Sequence, residues 1–214
     1  MLIDIRVLEL LSSKLCHDLV SPVSAINNGV ELIEDIGGDV IGEAVKLIGN
    51  SGKKAARSLK LYRFSFGRAG GEANLSARDV RPIVEQYFEG SKISVHWPDD
   101  VPDEKFIEHR GGLKILTNAV LLSEETLVYG GTIEIKSFSE ENSFGVRLEL
   151  SGRNAQLDDS FIQALEGNVS IEDITPRTIQ SYWTGKCAKH YGISVTQHSP
   201  DADRLDLTLS ITGV

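Results

Sequence analysis

The stretch SSKLCHDLVSPVSAINNG, Ser12 to Gly29, sets His17 and Asp18 side by side, with Ser21 and Pro22 one helical turn further on. An imidazole beside a carboxylate can act as a nucleophile whose neighbour orients the ring and takes its proton. The same pair is also common as two solvated residues on a helix surface. At about 100° per residue, His17 faces away from the apolar side marked by Leu15 and Leu19, so it is expected to be exposed. Ser21 shares that exposed face. Pro22 has no N–H to give the carbonyl of Asp18 and crowds it, so a bend right after the histidine is expected. An interior proline costs a helix about 3 kcal/mol, and such costs collect at functional positions.

Two kinds of element must position these residues. From residue 4 to about 68 the apolar residues recur at steps of three and four. Leu8, Leu11, Leu15, Leu19, Val23, Ile26, Val30 and Ile33 form one stripe, and Ile41, Val45, Ile48, Ala55, Leu59, Tyr62 and Phe66 form a second. Gly37-Gly38-Asp39 separates them, which predicts two long antiparallel helices joined by a short turn. Two helices leave much of their stripes uncovered, and a homodimer that pairs two hairpins into a four-helix bundle is the economical solution.

Beyond residue 75 the period changes. Val80 to Phe88 suits a helix with Pro82 in its first turn, and Gly111 to Leu127 a buried helix. Shorter helices are predicted over 158–166 and 176–191. Alternating segments at 93–97, 132–136, 144–150, 193–195 and 205–211 predict strands, with a turn at Glu140-Glu141-Asn142. The expected fold class is α+β: a helical-hairpin dimerisation domain over 1–70 and an α/β sandwich over 75–214.

Composition limits the function. The 214 residues carry 22 basic and 31 acidic side chains, a net charge of -9, which argues against a nucleic-acid partner. No run reaches the roughly 18 apolar residues of a membrane span, and no signal-peptide pattern opens the chain, so a cytoplasmic protein without a membrane partner is expected. Cys16 and Cys187 are read as free, buried thiols. The five histidines, at 17, 96, 109, 190 and 198, lack metal-ligand spacing, so no metal site is expected.

His17-Asp18-Leu19-Val20-Ser21-Pro22 resembles the H-box of two-component histidine kinases, which lies on the first helix of a dimeric helical hairpin. Leu113 to Val120, with Gly130-Gly131-Thr132-Ile133-Glu134-Ile135 downstream, resembles the kinase N-box and the strand that follows it. The departures bear on function. Lys114 stands where those kinases have a second Asn that helps hold Mg-ATP, and it is read as a surface lysine. In Ser151-Gly152-Arg153-Asn154-Ala155-Gln156, Gly152 replaces the adenine-reading Asp, and Asn154 and Gln156 replace glycines. Thr175 to Trp183 replaces the glycine-rich phosphate loop, so backbone amides that would cradle phosphates are missing.

A phospho-acceptor helix joined to a degenerate kinase-like domain resembles the ChpT-type histidine phosphotransferases of alphaproteobacterial phosphorelays. That resemblance implies a homodimer that takes a phosphoryl group on His17 from the receiver domain of a hybrid kinase and passes it to response-regulator receivers (CckA-, CtrA- and CpdR-like partners). It also implies ring orientation or proton transfer by Asp18 and contact of Ser21 with the reacting group. Leu19, Pro22, Arg63 and Arg177 are expected to meet the receiver. No cofactor of its own and no ATP are expected; the Mg²⁺ belongs to the receiver. The alternatives are a catalytically silent adaptor for response regulators and an atypical ATP-dependent histidine kinase or phosphatase.

Overall fold

The computed structural model describes residues 4–36, 38–71, 76–98, 104–140 and 142–212, and it divides into two compact units, Met1–Lys60 and Leu61–Val214. In the first unit Asp4 starts α1 (Ile5–Asp35) by accepting the Arg6 N–H at 2.8 Å. The helix runs on through Pro22 as one 31-residue element. A 3₁₀ turn, Gly38–Val40, leads into α2 (Ile41–Ser65); Gly37 lies outside the described residues. The two helices approach closely at Gly29, where a Cβ would lie 2.6 Å from Ile48 Cγ1 and 3.2 Å from the Ala44 carbonyl.

The residues of α1 divide into two roles. Val7, Leu11, Pro22 and Gly29 are buried, whereas Leu8, Val20, Val23 and Val30 are exposed. On α2, Ala44 is buried while Ile41, Val45 and Leu59 stay open to solvent. The hairpin therefore satisfies one side of each helix and leaves a second apolar side uncovered.

The second unit is a five-stranded mixed sheet with helices on one face. Its strands are β1 (Ile93–His96), β2 (Gly131–Ser139), β3 (Ser143–Ser151), β4 (Ser194–Asp201) and β5 (Arg204–Thr212), in the order β1-β2-β3-β5-β4. β1 pairs parallel with β2, and the other pairs are antiparallel. Alternation sends Ile133, Ile135, Leu148, Leu150, Leu205, Leu207 and Leu209 into the core and leaves Glu134 and Lys136 in solvent. The helices are α3 (Ala77–Phe88), α4 (Glu104–Glu108), α5 (Gly112–Thr126), α6 (Asp159–Glu166) and α7 (Ile179–Tyr191). α5 is buried over nearly its whole length and forms the centre of the core.

One local reading changes. Pro82 sits in the second turn of α3, not the first, because Ser76 and Asp79 start the helix earlier. The Asp79 carboxylate accepts the Ser76 N–H at 2.9 Å and its hydroxyl at 2.8 Å, which holds the Asp79 carboxyl below the usual range. The last turn of α2 groups with the second unit, where Leu61, Tyr62, Phe64 and Ser65 are buried. The expected turn between β2 and β3 is closed by Glu140 N–H to the Ser143 carbonyl at 2.7 Å; Glu141 lies outside the described residues.

Candidate functional site

His17 is 89% exposed on α1, and its Nδ1 lies 3.4 Å from Asp18 Oδ1. The other carboxylate oxygen, Oδ2, is 3.8 Å from the ammonium of Lys14, four residues earlier. Asp18 is 29% exposed and Lys14 17%, so both side chains lie along the helix surface while the imidazole projects from it. A carboxylate at Nδ1 favours a proton there and leaves Nε2 as the ring nitrogen with a free lone pair. Ser21 is exposed one turn on; Leu19 is half-buried and Pro22 is buried among the packing residues of the hairpin. Lys14 was not singled out from the sequence, although its i,i+4 spacing to Asp18 was visible there.

In the second unit the positions that resemble a nucleotide site are packed and hydrogen-bonded. Asn118 is fully buried: its Nδ2 donates to the Ser65 carbonyl at 2.8 Å and the Lys114 carbonyl at 2.7 Å, and its Oδ1 accepts from Gln180 Nε2 at 2.9 Å. Lys114 is not a surface lysine. It is buried, and its ammonium donates to the Gly67 carbonyl at 2.6 Å and the Ser65 carbonyl at 3.4 Å, with burial pushing its pKa down. Trp183 Nε1 adds a third donor to Ser65 O at 3.4 Å. The Ser65 carbonyl ends α2 without an intrahelical partner and Gly67 lies in the turn that follows, and a cation is favoured at that negative end.

The turn after β3 is equally fixed. A Cβ on Gly152 would stand 2.5 Å from the Gly130 carbonyl and 2.9 Å from Leu127 Cδ2, so the position has no room for an aspartate. Asp203 accepts the Asn154 N–H through Oδ1 at 2.9 Å, and its carbonyl accepts the Gly152 N–H at 3.0 Å; Asn154 sits at φ 53. Where a glycine-rich loop would lie, the chain forms the start of α7, with Ile179, Gln180, Ser181 and Tyr182 buried. Arg177 pairs with Asp158 at 2.7 Å and lies over Phe161, 5.1 Å from the ring centre. Arg63 is exposed near the end of α2. Among the described residues no His, Cys, Asp and Glu group is arranged to hold a metal ion.

The model of the family described as histidine phosphotransferase C-terminal domain matches residues 77–203. The chain belongs to the histidine phosphotransferase family. The protein phosphotransferase ChpT of Brucella abortus (strain 2308) is 28% identical over 195 residues, 91% of this chain and 90% of that protein. A solved structure described as a bacterial phosphotransferase superposes with a TM-score of 0.79 at 25% identity, covering 98% of each chain. The phosphotransferase matches these relatives over nearly its full length, hairpin included. No helix among its described residues is long and apolar enough to cross a membrane.

Proposed function

We propose that the phosphotransferase carries phosphoryl groups in a phosphorelay through His17, without using ATP. The Nε2 lone pair of His17 attacks the phosphorus of an aspartyl phosphate on a docked receiver domain. An N–P bond forms, the O–P bond to the aspartate breaks, and the aspartate leaves as a carboxylate. The ring keeps the Nδ1 proton, and its new positive charge is balanced by Asp18 until that proton passes to the carboxylate or to water. The return transfer reverses these steps. A loose transition state needs positioning and charge neutralisation more than covalent chemistry, and the receiver's Mg²⁺ supplies part of the second. Lys14 holds the Asp18 carboxylate from its far side, and Ser21, exposed one turn from His17, is proposed to contact the reacting phosphoryl group.

The observation that carries this proposal is an 89% exposed imidazole with its Nδ1 turned to a carboxylate. The absence of an ATP step is supported by the commitment of Asn118, the crowding at Gly152 and the buried start of α7. A homodimer is supported by the uncovered apolar side of the hairpin, with Leu8 54%, Val23 47%, Val45 54% and Leu59 53% exposed. The partners proposed are the receivers of a hybrid kinase and of response regulators of the CckA, CtrA and CpdR kinds. Phosphorylated receiver should label the wild-type chain and not His17→Ala; retained labelling of the variant overturns the assignment. Light scattering at twice the chain mass is the expected outcome for the dimer, and a monomer at micromolar concentration contradicts it.

A further inference from the structure

We infer that the basic side of α2 is an electrostatic docking surface for the acidic, phosphoryl-bearing face of a receiver domain; this rests on the function proposed above. Between Ile41 and Lys60, Glu43 is the single acidic residue, against Lys46, Lys53, Lys54, Arg57 and Lys60, in a chain of net charge -9. The four lysines are exposed and Arg57 is half-buried. Steps of seven, four and three place Lys46, Lys53, Arg57 and Lys60 in one stripe, on the side of α2 away from Ala44 and Ile48, which meet α1 at Gly29.

Lys54 ties this surface to the histidine. With about 1.5 Å of rise per residue counted from the Gly29 contact, the antiparallel helices bring Lys54 level with Ser21. The turn of about 100° per residue places Lys54 on the same flank of the hairpin as His17 and Ser21. Lysines therefore extend from beside the phospho-acceptor along α2.

The chemistry of the donor defines the partner. An aspartyl phosphate transferred with Mg²⁺ needs further carboxylates to hold the ion, so the face that carries it is acidic. A chain of net charge -9 repels such a face as a whole. At physiological ionic strength charges beyond about 8 Å are screened, so the docking contact is governed by the local lysines. Local complementarity of this kind acts on the association rate and its salt dependence more than on the chemical step.

The test uses full-length protein and a phosphorylated CtrA-type receiver domain, with the charge reversals Lys46→Glu, Lys53→Glu and Lys54→Glu combined. At low salt the second-order transfer rate is expected to fall by about tenfold or more, with the single-turnover rate at saturating receiver unchanged. The wild-type and triple-variant rates should converge near 0.5 M salt. Lys189→Glu on α7 makes a charge reversal in the second unit and should leave the rate within about twofold. Receiver binding to His17→Ala reads docking without transfer. Intact, lysine-dependent docking with no labelling of wild type would overturn the relay role and leave the docking surface standing. Equal rates for wild type and triple variant at every salt concentration would overturn the docking surface, as would equal slowing by Lys189→Glu. Loss of binding to phosphatidylserine vesicles in the triple variant, with transfer untouched, would reassign the lysines to a membrane surface.

Discussion

Replacing Asn118 with alanine separates a nucleotide ligand from a structural tie. The amide makes three hydrogen bonds inside the core of the second unit, to Ser65 O at 2.8 Å, Lys114 O at 2.7 Å and from Gln180 Nε2 at 2.9 Å. At about 1 kcal/mol net each, they set an upper range near 3 kcal/mol. Ser65 O keeps Lys114 and Trp183, each at 3.4 Å, and Gln180 Nε2 keeps Thr184 and the Asn118 carbonyl, each at 3.4 Å, which softens the loss. The small void left behind adds to it. The expected destabilisation is about 2–3 kcal/mol, measured as the change in urea-unfolding free energy. Phosphoryl transfer to the folded variant at low temperature should stay near wild type, because His17 lies on the other unit. An Asn118→Ala protein as stable as wild type, or one that folds normally and loses transfer, refutes the reasoning.

Further outcomes follow from the same packing. Gly152→Asp, which restores an adenine-reading residue, should destabilise the second unit by about 1–3 kcal/mol through its clash with the Gly130 carbonyl and show no ATP binding by calorimetry; micromolar ATP binding contradicts it. Cys16 is exposed on α1, against the expectation that both thiols are buried, whereas Cys187 is buried with its thiol pushed up to about 12. One thiol should react with a disulfide reagent within seconds and the second only as fast as the fold opens; two fast thiols are the contrary result. Burial holds Lys114 below its ordinary 10.5, so in the window between the lowered value and 10.5 the unfolded chain binds more protons. Stability from this group therefore rises with pH there. Lys114→Met should lack that rise in urea melts taken across the window, and parallel curves would count against a buried ammonium.

Much of the architecture was legible because it is written in local period. The two helices of the hairpin, the five alternating strands and the helices at 158–166 and 176–191 follow from steps of three and four or of two. The exposure of His17 followed from its angle to Leu15 and Leu19. What escaped depends on contacts between distant segments. Lys114 looked like a surface lysine because nothing near it in sequence shows that the carbonyls of Ser65, at the end of α2, and of Gly67, in the turn after it, lie beside it. The close approach of Gly130 to Gly152 is hidden for the same reason. The burial of Pro22 depends on which side of α1 its own hairpin partner takes, and a single apolar stripe does not encode that choice. Two misses were local: Ser76 and Asp79 carry a capping-box spacing, and the five-residue α4 is too short to show a period.

The relay role of His17 is tested most directly by following a radiolabelled phosphoryl group onto the purified chain from two donors in parallel. A phosphorylated receiver domain is expected to label the wild-type protein in an acid-labile, base-stable linkage that maps to His17 and disappears in His17→Ala. Mg-ATP alone is expected to give no label. Labelling by ATP, or label from the receiver that persists in His17→Ala, contradicts it.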